Sequence, residues 1–190
     1  MNISFLSGSL TGARALIGLC LLLLALSTPL LAQEAGETNY SDPETWLLGN
    51  LNYDFFLDKP HNSWFSKGFN EYSFDDSIFI ELEKTRLDEV DIVVVLGTWC
   101  PDSRRELPRF MKIIESLGYD ADRIRFIGVD SYKEAPVDDY DSFDIDRVPT
   151  FIFYHEKSEL GRIIEYPEAS LEKDMLDILR ILRRIEEKHK

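Results

Sequence analysis

The run Ile92-Val-Val-Val-Leu96 is apolar at every position and β-branched at four of its five. A segment with no polar side to turn toward water predicts a strand covered on both faces, as in a parallel pair. After Gly97-Thr98-Trp99-Cys100 come Leu107, Phe110, Met111, Ile114 and Leu117 at spacings of three and four, which predicts an amphipathic helix ended by Gly118. Ile124-Arg-Phe-Ile-Gly-Val129 then predicts a second buried strand. Strand, crossover helix and strand make a βαβ unit, so the fold class is α/β.

The turn between the first strand and the helix carries the chemistry. Trp99-Cys100-Pro101-Asp102-Ser103 places Cys100 at or just before a helix N-terminus. Unpaired backbone N–H groups and the positive end of the helix dipole favour a thiolate over a thiol at that place. Arg104 and Arg105 act in the same direction and Asp102 against it. Within the helix, Pro108 lacks a donor and crowds the carbonyl of Arg104, which predicts a bend.

On either side of this unit the pattern continues. From Trp46 to Phe74 there are nine aromatic residues, a density that argues for a packed extension over 46–74. Asp75 or Asp76 is placed to cap a helix running to about Arg86. Thr150-Phe-Ile-Phe-Tyr154 and Gly161-Arg-Ile-Ile-Glu165 flank a polar turn and predict an antiparallel hairpin. Ser170 can cap a last helix with Leu171, Met175, Ile178, Leu179, Leu182 and Ile185 on one face. Between the βαβ unit and the hairpin, residues 131–146 are rich in acids and predict a solvated loop that leads straight into Arg147-Val148-Pro149. Its Asp139-x-Asp141-x-x-Asp144 lacks the turn glycine and terminal glutamate of a calcium loop. His61, His155 and His189 are too scattered to suggest a zinc site, and no metal is expected.

The Cys100-Pro101-Asp102-Ser103 turn, Pro108 eight residues after Cys100, and Val148-Pro149-Thr150 before an apolar run resemble the thioredoxin family, over about residues 90–182. The resemblance implies a thioredoxin-like three-layer fold, a mixed central sheet flanked by helices, here with an aromatic-rich N-terminal extension. It implies that Pro149 is cis and lies against the reactive sulfur, that the backbone of Val148 pairs with an extended substrate, and that Trp99 forms an apolar wall. Pro101, Asp102 and Pro108 belong to the active-site helix. One departure is chemical: the family's second cysteine is here Ser103. Its hydroxyl can donate to the Cys100 sulfur but cannot resolve a mixed disulfide. The buried acid often found six residues before the first cysteine is here Val94.

Residues 1–32 differ from the rest, with Arg14 as their one charge, a leucine-rich core from Ala15 to Leu26, and a small residue, Ala32, before polar Gln33. They predict a secretory signal peptide, with an uncleaved membrane anchor as the competing reading. A flexible leader over 33–45 and a thioredoxin-like domain over 46–190 complete the expected organisation. Loss of Cys20 with the signal would leave Cys100 as the one thiol. The address is then exported: periplasmic in a Gram-negative bacterium and secreted otherwise. A formal charge of −14, which becomes −15 when Arg14 leaves with the signal, argues against nucleic acid and against anionic membrane surfaces. The chain thus reads as a thiol–disulfide oxidoreductase of a monothiol kind, working through catalytic Cys100 and Ser103 on thiols or disulfides of exported proteins. It needs no bound cofactor and would use an external thiol such as glutathione as reductant. The alternative is a non-catalytic binding or chaperone module.

Overall fold

The computed structural model describes residues 38–188, with side chains to residue 185. The expected signal peptide, Cys20 and the first residues of the leader lie outside the described residues. Five strands form one mixed sheet in the order β1-β3-β2-β4-β5: β1 (Gly49–Leu51), β2 (Asp91–Leu96), β3 (Ile124–Gly128), β4 (Thr150–His155) and β5 (Ser158–Ile164). The helices are α1 (Asp54–Leu57), α2 (Asn62–Glu71), α3 (Asp76–Leu82), α4 (Pro101–Ser116) and α5 (Leu171–Lys188). None of the described helices is long and apolar enough to cross a membrane.

The apolar run expected to be covered on both faces is the central strand. β2 pairs parallel with β3 and antiparallel with β4. Because side chains alternate along a strand, Ile92, Val94 and Leu96 enter one cluster with Phe110, Met111 and Ile114 of α4 and Met175 and Leu179 of α5. Val93 and Val95 enter a second cluster on the other face.

That second face corrects one expectation. Residues 131–146 were expected as a solvated acidic loop, yet Ala135, Val137, Tyr140, Phe143 and Ile145 pack against Val95, Ile127, Val129 and Ile152. The acids of the segment face outward, as do Ser131, Tyr132, Pro136 and Ser142. Asp139 pairs with both terminal nitrogens of Arg125, at 2.6 and 2.7 Å, and the guanidinium holds its carboxyl below the usual range. Burial pushes the Tyr140 hydroxyl up to about 12 while it donates to the Lys133 carbonyl at 2.6 Å. Apolar residues without helical or strand spacing can still share a face when the backbone is irregular, and periodicity cannot reveal that.

The aromatic extension is packed, as its density predicted, and it contains the unforeseen strand β1, which pairs antiparallel with β3. Three residues are too few to show an alternating pattern. Behind β1, Phe56 meets Phe126 of β3 edge-on at 5.5 Å and stacks on Phe65 of α2 at 6.1 Å. Asp75 caps α3 by accepting from the amides of Ser77 and Ile78. At the hairpin, Glu156 and Lys157 both have positive φ, so the turn is two residues long and the strands extend further than expected. The Ser170 hydroxyl accepts from the Lys173 amide at the start of α5. Residues 38–45 differ from the flexible leader that their composition suggested. Tyr40 donates its hydroxyl proton to the Pro60 carbonyl at 2.9 Å, and the Trp46 indole donates to the Tyr40 carbonyl at 2.9 Å.

Candidate active site

β2 delivers the chain to the sheet edge at Leu96, and four residues turn it into α4. The Cys100 amide donates to the Gly97 carbonyl at 2.9 Å. Gly97 is required here by close approach: a Cβ on it would lie 2.5 Å from the Trp99 indole. Trp99 folds back over that glycine and donates its indole proton to the Val129 carbonyl at 2.9 Å. Cys100 is the N-cap of α4, and Pro101 occupies the first helical turn, where a missing N–H leaves no vacancy.

Cys100 is 7% exposed. It donates to the carbonyl of Val148 at 3.4 Å, and the Val148–Pro149 bond is cis. The proline's own carbonyl accepts from Glu165 at 2.6 Å, so the loop before β4 is tied to the end of β5. Trp99, Cys100 and Val148 line one open depression of about 370 Å³ with Lys133, Asp146, Arg147 and Glu165. These last four were missed as site residues. The one available signal was that the acidic loop leads into Val148-Pro149, because the loop itself has no period that would say which of its charges turn inward. Arg147 and Glu165 pair at 2.6 Å across this rim.

Ser103 is buried, and its oxygen accepts from the Gly97 amide at 3.3 Å. The geometry therefore ties this hydroxyl to the turn backbone, whereas the sulfur's hydrogen bond goes to Val148. Asp102 pairs with Arg105 at 2.7 Å, which offsets its charge next to the sulfur. Arg105 also bonds the buried Glu106, and these carboxylates keep its guanidinium above the ordinary value, Glu106 contributing most. Pro108 stands apart from the depression. It is buried against α2, where a Cβ on Gly68 would lie 2.6 Å from its ring. Val94 is fully buried in β2.

Arg104 does more than supply charge. Its Nη1 donates to the carbonyls of Thr98 and Trp99, each at 2.8 Å, and its guanidinium lies over the Tyr40 ring, 4.6 Å from the centroid. Nearby, His61 is 3% exposed, with its ring 5.8 Å from that of Tyr40 and 6.1 Å from that of Trp64, and its Nδ1 has no hydrogen-bond partner. Burial, then the charge of Arg104, holds the imidazole below its ordinary value. The unfolded chain therefore binds the His61 proton first. Stability is full above about pH 6.5 and declines as pH falls from there toward the lowered folded value. His61→Phe should flatten the fall in melting temperature between about pH 7 and about pH 5. An unchanged slope would show that another group controls it.

A family model described as Thioredoxin matches residues 72–179. No curated protein matches the chain. Among solved structures, the chain is similar to an HIV epitope-scaffold at 14% identity, over 71% of this chain and 93% of the scaffold, with a TM-score of 0.51. A protein of unknown function from Pseudomonas aeruginosa matches at 14% identity over 72% of this chain and 93% of its own, with a TM-score of 0.48. A thioredoxin from Trypanosoma brucei brucei matches at 17% identity over 59% and 88%, with a TM-score of 0.33. At such identities a likeness speaks to fold alone.

Proposed function

The chain belongs to the thioredoxin family, and from that premise we propose that it is a thiol–disulfide oxidoreductase working through one sulfur, that of Cys100, on exported proteins. The observation that carries this reading is the meeting of Cys100 at the N-cap of α4 with the cis Val148–Pro149 bond, in an open depression. The Cys100 thiolate attacks one sulfur of a substrate disulfide. The new S–S bond forms as the old one breaks, and the leaving sulfur departs as a thiolate that takes a proton from solvent. A second thiol, from glutathione or from the substrate itself, then attacks the mixed disulfide and releases Cys100. Ser103 has no sulfur for that step.

One observation favours a second reading, a module that holds clients without turnover. Cys100 is nearly buried and its thiol proton is engaged by the Val148 carbonyl, an atom that an incoming extended strand would use. Oxidised glutathione separates the two. With the full-length chain and detection at the peptide containing Cys100, a catalytic sulfur reacts faster in the folded protein than in urea. A folded protein that reacts more slowly throughout the pH range would leave only the holding reading.

The missing second sulfur has its own test. Ser103 lies one helical turn beyond Cys100, on the inner side, so Ser103→Cys should raise catalysed insulin reduction by about ten-fold over the parent. No gain would place the limit on turn geometry and on Val94 instead of on the absent thiol.

A further inference from the structure

The carbonyls of Thr98 and Trp99 lie after the last β2 residue and before the first residue of α4. Buried or half-buried carbonyls require a partner, and both find it in the same Arg104 nitrogen. A long side chain loses much rotamer freedom when held in this way, unless something already restrains it. The restraint here comes from outside the βαβ unit. Tyr40 covers the guanidinium with its ring while its hydroxyl is anchored on Pro60. Two further contacts join the same segment to the same turn: the Leu47 amide donates to the Thr98 hydroxyl at 3.1 Å, and the rings of Trp46 and Trp99 lie 6.2 Å apart.

We infer that residues 40–47 form a strap that positions the Thr98-Trp99-Cys100 turn for attack, with Arg104 as the positioning residue through which Tyr40 acts. The inference rests on the reading of Cys100 as the reacting sulfur. Attack on a disulfide needs the sulfur aligned with the bond that it breaks, and a turn free to shift loses that alignment before it loses its fold. Tyr40 touches no reacting atom. Its effect travels through a cation–π contact to the guanidinium and from there to two carbonyls, leaving the charge of Arg104 in place.

Tyr40→Leu and Tyr40→Phe, made in the full-length chain, test this. Loss of the ring should slow glutathione adduct formation at Cys100 by about five-fold on the alkaline plateau, where the thiol is fully ionised, whereas the phenylalanine variant should stay within about two-fold of the parent. Amide hydrogen exchange provides a readout independent of chemistry. Tyr40→Leu should speed exchange in residues 97–104 and leave α5 unchanged, and Tyr40→Phe should change neither region. If the parent chain forms no adduct but the exchange pattern holds, the catalytic reading fails and the strap stands. Equal exchange in the leucine variant and the parent, or faster exchange spread across α5, overturns the strap. So does an unchanged plateau rate in a parent that reacts.

Discussion

A Cys100→Ser variant should form no mixed disulfide at this position with glutathione or with client proteins, while melting within about 3 °C of the parent. The chemical half follows from the nucleophile: a serine oxygen does not exchange with disulfides. The stability half follows from the surroundings. Cys100 sits at the end of the second apolar cluster, and its thiol donates to the Val148 carbonyl. A serine hydroxyl can donate to the same carbonyl and is smaller than the thiol, so little packing is lost. Intact mass after incubation with oxidised glutathione and a thermal melt read the two halves separately. Loss of more than about 8 °C would make the cysteine a structural residue and would weaken the case for a redox role.

Gly128→Ala should be the most damaging small substitution outside the sulfur, costing about 3 kcal/mol and lowering the melting temperature by about 9 °C. Gly128 pairs with Gly49 on one side and Leu96 on the other. A Cβ there would lie 2.1 Å from the Leu47 carbonyl oxygen and 2.8 Å from its carbon. Backbone atoms cannot rotate aside as a side chain can. Relief requires residues 47–51 to lift from β3, which breaks the antiparallel pairing and pulls the Leu47 amide away from Thr98. The same variant should therefore also slow glutathione attack on Cys100. A melt within about 2 °C of the parent would show that β1 does not approach so closely.

Several features of the site were legible as types of residue at fixed spacing. Cys100 after an apolar strand and before an amphipathic helix, and Val148-Pro149 before another apolar run, are local patterns, and they mark where each element begins. The residues that surround them are another matter. Lys133, Asp146 and Glu165 reach the depression from an irregular loop and from the end of a hairpin, where no repeat distance marks the inward side. The amide that Ser103 accepts from was missed for a related reason. A hydroxyl three residues along a helix lies near the turn, and only the path of the turn brings the Gly97 amide within its reach.

By itself the sequence determined the central β2-α4-β3 unit, the helix that starts at Cys100, the capping residue Ser170, and a fold class that leaves one sulfur where the family has two. These depend on interactions within a few residues, or on a periodicity that burial imposes along one element. The tertiary structure alone decided that the acidic segment covers the second face of the sheet, that β1 closes its edge against Gly128, and that residues 40–47 hold the turn through Arg104 and Thr98. Each of these joins groups far apart in the chain. Such contacts depend on three-dimensional distance and on which buried carbonyls and rings lack a local partner, and neither quantity is written in the order of the residues.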